Sequence, residues 1–565
     1  MLGSGRQRSP ALINDLWYKN AVIYSLSVGT YMDSNGDGIG DFPGLTRRLD
    51  YLQGLGVTAI WLNPFQPSPQ LDDGYDITDY YGVDPRYGTL GDFVEFAHGC
   101  QQRGIRLLID LVVNHTSDQH PWFQSARSDK QSKYRDWYVW SKRKPAHSAD
   151  GIVFPGVQTS TWTRDPVARE YYFHRFYQFQ PDLNTANPDV QAEILKIMGF
   201  WLQLGVSGFR MDAVPFVIAE KGAGLTKPLE HYDMLRSFRE FLQWRQGEAV
   251  ILAEANVLPE TDMEYFGDSG ERLHLMFNFQ VNQTLFYGLA AADNRPLIQA
   301  LHATEPRPAT AQWAMFLRNH DELDLGRLSE QQRQHVFDAF GPDPAMQLYQ
   351  RGIRRRLAPM LGGDRRRIEL AFSLMLTLPG TPVLLYGDEI GMGDDLTLPE
   401  RNCARTPMQW SSERQGGFTS GNAPTLPPIS DGPYGFEHIN VAAQRRDPGS
   451  MLNWTERMVR MRKEVPEIGW GEFALLDAGS SEVLALRYDW RNNGVVFLHN
   501  LSPIPREVTF ETGANGLHDG LLVNLLSNDH SEPDQANRHC VLLEPYGYRW
   551  FRVGGLDYLQ RRSPA

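Results

Sequence analysis

Arg106-Leu-Leu-Ile-Asp-Leu-Val-Val113 is an apolar run interrupted once, by Asp110. It is short, and apolar on both faces, as a strand covered on both sides must be. Runs of the same kind recur along the chain. Ala21 to Ser25 and Val57 to Leu62 come before it. Val206 to Asp212, Ala249 to Glu254, Leu273 to Phe279, Trp313 to Arg318 and Pro382 to Tyr386 come after it. Most are separated by helical patterns, such as Leu45, Leu49 and Leu52 ahead of the second run. Eight strand-then-helix units predict an α/β fold, a parallel (β/α)8 TIM barrel. Polar residues at the strand ends of such a barrel face one mouth.

Two gaps break the rhythm. Residues 118–187 follow the third strand and are rich in Trp, Tyr, Pro and Asp; a connection this long predicts an inserted lid domain over the mouth. Residues 322–375 contain the basic stretch Arg351 to Arg367. They predict a helical insertion over the site, with its charges on a solvated or salt-bridged face. The barrel itself takes residues 1–117 and 188–464. From 465 to 565 short strands alternate with turns, among them Val483 to Tyr488, Val495 to Leu498, Arg506 to Phe510, Gly520 to Leu526 and His539 to Leu543. This predicts a C-terminal antiparallel β-sandwich domain.

Composition narrows the function. The 565 residues carry a formal net charge of −13, with 41% hydrophobic and 22% charged residues. An acidic globular chain argues against nucleic-acid or anionic-membrane partners, which require basic patches. Three scattered cysteines, Cys100, Cys403 and Cys540, make no disulfide framework or thiolate metal site and suit a reducing, cytoplasmic setting. Met1 to Trp17 lacks the apolar core of a signal peptide, and no run is long enough to span a bilayer. The sequence is compatible with a homo-oligomer and does not specify one.

Four acids fall at strand ends: Asp110, Asp212, Glu254 and Asp321. Arg210 lies two residues before Asp212, while His115 and His320 lie nearby. Retaining glycoside hydrolysis needs such a set. One carboxylate attacks the anomeric carbon and a second carboxyl protonates the leaving oxygen, the two being about 5–5.5 Å apart. The acid must keep its proton near neutral pH, through burial or a neighbouring carboxylate. Arg210 is placed to hold Asp212 ionised, and Asp321 to stabilise positive charge developing on the ring.

These residues carry a resemblance. Asp110-Leu-Val-Val-Asn-His115, Gly208-Phe-Arg-Met-Asp212, Ala253-Glu-Ala-Asn256 and Arg318-Asn-His-Asp321 resemble the four signature segments of the α-amylase family, glycoside hydrolase family 13. Asp72-Asp-Gly-Tyr-Asp76, Gln180-Pro-Asp-Leu-Asn184 and Arg405-Thr-Pro-Met-Gln-Trp410 add to it, so the likeness runs from about Trp17 to the C-terminus. Within the family it is strongest to members that interconvert maltose and trehalose. The resemblance implies Asp212 as nucleophile, Glu254 as acid/base and Asp321 as transition-state stabiliser. It implies that His115, Arg210 and His320 hold hydroxyls or orient the acids. It implies that Asp72 and Arg405 close a one-glucose pocket, with Tyr75 as its floor and Phe176 and Gln180 in its wall. The implied substrate is a small disaccharide, maltose or trehalose, isomerised within the pocket with some leakage to glucose. The rival readings are an exo-acting α-glucosidase or transglucosylase and, remotely, a non-catalytic family member.

Asp33-Ser-Asn-Gly-Asp-Gly-Ile-Gly-Asp41 sets oxygen ligands at alternate positions, as in an EF-hand loop, though Gly44 stands where the closing Glu would be. Asp33, Asn35, Asp37, the Ile39 carbonyl and Asp41 are expected to bind a structural Ca2+, and the loop resembles the calcium loop of many relatives. The resemblance also implies a second calcium at Asn114 and Asp182, but Ala219 occupies the place of that site's usual Glu. Two further departures stand out. Leu26-Ser-Val-Gly-Thr-Tyr31 replaces the Leu-His-Val-Arg-Ala-Phe common in the maltose–trehalose members. Asn63 and Gln66, expected near the pocket rim, also differ from the usual residues.

Overall fold

A computed structural model describes residues 14–225, 228–421, 423–491, 493–512 and 520–554. The leader-free reading of the N-terminus and the end of the β domain fall largely outside these residues. Eight parallel strands close into a barrel: β1 (Ile23–Leu26), β2 (Ala59–Leu62), β3 (Arg106–Leu111), β4 (Gly208–Met211), β5 (Val250–Ala253), β6 (Leu275–Phe277), β7 (Gln312–Phe316) and β8 (Thr381–Leu385). Each of the eight runs quoted above supplies one strand. β8 pairs with β1 and closes the ring.

Strand residues are buried on both faces. Ile23, Ala59, Trp61, Leu108, Leu252, Leu275, Phe277, Ala314 and Val383 fill the inside, and the opposite faces join a larger shell packed against the helices. Alternation then brings charge to the top of the inner face. Leu108 and Asp110 share a side of β3, and Asp110 lies opposite Arg210 of β4. Gly208 is required at the start of β4. A Cβ there would sit 2.3 Å from the Val250 carbonyl oxygen, at a φ of +154°.

The lid, residues 118–187, contains the helix Pro121–Ser128 and a three-stranded antiparallel sheet. Its core is aromatic, with Phe123 stacked on Trp140 and Trp122 against Trp137. The 322–375 stretch is not uniformly helical. It contains the helix Glu330–Phe340 and a small sheet made of Leu323–Asp324, Gln347–Leu348 and Gly352–Ile353. Its basic run is salt-bridged at Arg351, Arg355, Arg365 and Arg366, as expected, but it is not all at the surface. Arg356 is fully buried, donating to the Tyr386 and Ala404 carbonyls and paired with Asp388. Arg354 donates to four backbone carbonyls.

In the C-terminal region a five-stranded and a two-stranded antiparallel sheet share one apolar layer that includes Val496, Leu498, Val508, Phe510, Val541 and Leu543. The region is joined to the barrel through buried polar contacts. Ser373 bonds His499 at 3.0 Å and accepts from the Trp550 indole at 2.8 Å, and the Tyr488 hydroxyl donates to the Thr377 carbonyl. No helix among the described residues is long and apolar enough to cross a membrane.

Candidate active site

A cavity of about 600 Å³ opens at the C-terminal mouth of the barrel. Asp212, Glu254 and Asp321 line it, with Asp72, Tyr75, His115 and Phe176. The acids gather around one guanidinium. Arg210 donates from Nη1 to Asp110 Oδ1 at 2.5 Å and to Asp212 Oδ1 at 2.8 Å, and from Nη2 to Glu254 Oε2 at 2.6 Å. Arg210 and Asp212 lie two residues apart along β4 and so share its inward face. Ala213 then takes a left-handed φ of +48°, a costly conformation for a residue with a Cβ that ends the strand abruptly after Asp212. The Val214 amide donates to the Glu254 carbonyl, tying that turn to the end of β5.

The floor is a rigid polar stack. Tyr75 lies parallel to His320, with ring centroids 5.4 Å apart, and its hydroxyl bonds both His320 Nε2 at 2.8 Å and Asp110 Oδ2 at 3.1 Å. His115 Nε2 lies 2.8 Å from the Tyr75 carbonyl, and Gln180 Nε2 donates to Asp72 Oδ2 at 2.8 Å. Gln180 is buried and acts behind Asp72, outside the cavity lining. Arg405 likewise stands behind the wall. Its Nη2 reaches Asp321 Oδ1 at 3.1 Å, its Nη1 reaches Asp73 at 3.2 Å, and its Nε donates to the His320 carbonyl.

Electrostatics separates the three acids. Burial raises Glu254 to about 7, with the Asp212 and Asp321 charges adding to it against the pull of Arg210. Burial also raises Asp212, to about 6, and Arg210 opposes the rise. Burial disfavours charge on Asp321 too, but Arg401 and Arg405 outweigh it and hold that carboxyl well below the usual carboxylate range. Near neutral pH the site therefore contains a carboxylate at Asp321, a mostly ionised Asp212 and a protonatable Glu254. Burial lowers His320 to about 3, so it is neutral.

Several lining residues carry no strand-end signal and were not singled out in the sequence. Asn256, Asp324, Arg327 and Arg351 form one side of the cavity. Asn256 Nδ2 donates to Asp324 Oδ2 at 2.6 Å, and Arg351 pairs with Asp324. Arg401 pairs with Asp321 at 3.1 Å and Glu322 at 2.7 Å. Its guanidinium also covers Phe154 of the lid and Tyr349, whose rings lie 4.7 Å apart. Tyr177 of the lid stacks on Phe154 and bonds the Tyr349 hydroxyl at 3.0 Å. The lid and the 322–375 stretch thus meet over the cavity. Asn63 and Gln66, expected near the rim, are buried and line no part of it.

The structure overturns the second calcium. Lys221 places its ammonium among the oxygens expected to hold that ion: Asn114 Oδ1 at 2.8 Å, Asp182 Oδ2 at 3.1 Å and the Leu183 carbonyl at 2.9 Å. A fixed organic cation already satisfies Asn114 and Asp182. The 33–41 loop differs. Asp33 and Asp41 are buried, and neither forms an ion pair with Lys or Arg among the described residues. Asp33 accepts from the Asn35, Gly36 and Gly38 amides and Asp41 from the Ser34 and Gly44 amides. Among the described residues no three His, Cys, Asp or Glu side chains form a metal cage by themselves. Any cation here would draw on the Asn35 side chain and the Ile39 carbonyl as well.

A closed parallel barrel whose mouth holds a retaining pair of acids and a third carboxylate defines a class, the α-glucoside-processing barrels. Comparison makes this specific: the family pattern "Alpha amylase, catalytic domain" matches residues 23–339 and 353–471, and the chain belongs to the α-amylase family. A "Sucrose hydrolase-like, C-terminal domain" pattern matches residues 493–552. The chain is 44% identical over 96% of its length to a trehalose synthase of Thermus thermophilus, and spans 56% of that protein. It is 43% identical to a trehalose synthase/amylase of Mycolicibacterium smegmatis, over 87% of this chain and 85% of that protein. It is 39% identical to a trehalose synthase of Pimelobacter sp., over 96% of both. Among solved structures, a trehalulose synthase superposes with a TM-score of 0.75 at 28% identity, covering 95% of this chain and all of that one.

Proposed function

We propose that this protein is an intramolecular α-glucosyl transferase that interconverts maltose and trehalose, with minor hydrolysis to glucose. The observation that carries the chemistry is the shared Arg210 guanidinium, which holds Asp212 and Glu254 side by side. Two carboxyls held on neighbouring nitrogens of one guanidinium suit the close pairing of a retaining enzyme better than the wider gap in which an inverting enzyme places its water. Asp212 attacks C1 of the non-reducing glucose while Glu254 gives its proton to the departing oxygen. The freed glucose turns within the cavity, Glu254 removes the proton from its anomeric hydroxyl, and that oxygen displaces Asp212. The roof of Phe154, Tyr177, Tyr349 and Arg401 supports this reading, because the covalent intermediate survives only if water is kept away. The trehalose synthases to which the chain is similar support the choice of maltose and trehalose.

The test is incubation with maltose alongside external isotopically labelled glucose. Trehalose without label is expected. Glucose as the only product would replace this reading with an α-glucosidase, and heavily labelled trehalose would replace it with an intermolecular transglucosylase.

We further propose that the 33–41 loop binds calcium through Asp33, Asn35, Asp37, the Ile39 carbonyl and Asp41. The buried carboxylates of Asp33 and Asp41, without a Lys or Arg partner among the described residues, fit a hard cation with oxygen ligands. The ion's contribution would be structural. Millimolar calcium should raise the Tm of chelator-treated protein, and Asp33→Ala should abolish that rise; an equal rise in the variant would refute the site.

A further inference from the structure

Behind the Asp72 and Arg401 wall lies a second cavity of about 450 Å³. Asp72 and Arg401 border both cavities, whereas Ser27, Asp73, Arg86 and Asn402 border only the second. Its volume falls in the range of small-molecule sites, about 300–1,000 Å³. It lies where small residues follow β1. Ser27 makes no capping hydrogen bond, and Gly29 leaves space that Tyr87 occupies, since a Cβ there would lie 3.0 Å from the Tyr87 ring.

We propose that this cavity is a second binding site for a neutral monosaccharide, free glucose being the one that the proposed reaction releases. The lining does not favour an anion. Arg86 is paired with Asp84, Arg401 with Asp321 and Glu322, and Arg405 with Asp73 and Asp321, so no guanidinium is left to attract an anion. What remains is a mixture of hydroxyl, amide, carboxylate and guanidinium groups beside the Tyr87 ring, the surface that vicinal hydroxyls and a sugar's apolar face require. The cavity is coupled to the chemistry through one side chain. Asp73 and Asp321 grip Arg405 from opposite sides, at 3.2 and 3.1 Å. A sugar that takes hydrogen bonds to Asp73 weakens its hold on Arg405, which then shifts toward Asp321 and alters the charge facing the reacting ring.

Naming glucose rests on the proposed function; the existence of the site does not. Crystals of the wild type and of Ser27→Phe, soaked in glucose, test it directly. The wild type should show a hexose against Ser27, Asp73 and Asn402 as well as one at Asp212. Ser27→Phe should lose the first and retain the second. If Ser27→Phe fails to fold, Asn402→Leu serves in its place. A second cavity filled only with water beside an occupied active site overturns the proposal, as does a hexose that persists there in the variant. Kinetics checks the coupling. Glucose should lower kcat for a nitrophenyl α-glucoside in the wild type, and Ser27→Phe should lose that effect while keeping the rise in KM from competition at Asp212. An identical fall in kcat in both proteins refutes the coupling. Neither measurement depends on trehalose being formed, so failure of the isomerase reading would be seen separately in the maltose products.

Discussion

At the scale of single residues, the site works by giving chemically similar acids different proton affinities. Burial raises Glu254 to about 7 and Asp212 to about 6. The active form has Asp212 ionised and Glu254 protonated. Activity is therefore lost on acidification as Asp212 gains a proton and on alkalinisation as Glu254 loses one, which predicts a narrow bell in kcat/KM centred between these values. Glu254→Gln should remove the alkaline limb for an activated nitrophenyl glucoside and cut turnover of maltose, which needs the proton, by roughly 10²–10⁴-fold. Arg401 acts through its neighbours. Arg401→Ala removes one of the two guanidinium contacts on Asp321 and the cation that covers Phe154 and Tyr349. A loss of about 10²-fold in kcat is expected, with a higher ratio of glucose to trehalose because the roof loosens; an unchanged product ratio would show that the roof does not exclude water. The strand-end acids were legible in the sequence because strand period and chain order alone place them. Arg401 was not: its partners lie about 80 and 250 positions away in sequence, and no local pattern records such a contact.

At the scale of elements, the strands were legible to within two or three residues because each is apolar on both faces and bounded by polar or turn sequence. The stretch 322–375 was read in part: its helices and the salt bridges of Arg351, Arg355, Arg365 and Arg366 fit the expectation, while its small sheet and the burial of Arg356 do not. Its arginines read as a solvated or salt-bridged face, yet Arg356 is buried because carbonyls at the ends of neighbouring segments need a donor with several N–H groups. The second calcium, already at odds with Ala219, turns on a residue that the sequence did not mark. Asn114 and Asp182 carry the oxygens of a metal site, and the discriminating residue, Lys221, lies two positions beyond the Ala219 gap. Lys221→Met should leave Asp182 buried without a counter-ion, a defect that costs about 3–5 kcal/mol. A large fall in Tm and earlier proteolysis of 118–187 are the expected readouts. Calcium restoring the variant's Tm would show that the oxygens can still accept a metal.

At the scale of the whole molecule, the β domain is bound to the barrel by buried polar groups that titrate. Burial lowers His499 to about 3, against about 6.5 in an unfolded chain. A depressed pKa means that the stability it contributes is present above pH 6.5 and is lost as the pH falls toward 3. His120 and His320 behave alike. His499→Gln should flatten part of the decline in Tm between pH 6.5 and 4, measured by calorimetry; an unchanged slope would place the acid sensitivity elsewhere. Lys221 bears on the same scale. An ion held between barrel and lid would come and go with its supply, and the lid's grip would weaken whenever the surroundings ran short of it. An ammonium carried on the same chain has no free form to be diluted or captured. It makes the joint a matter of folding alone, set once when the chain closes and indifferent afterwards to what the solution contains.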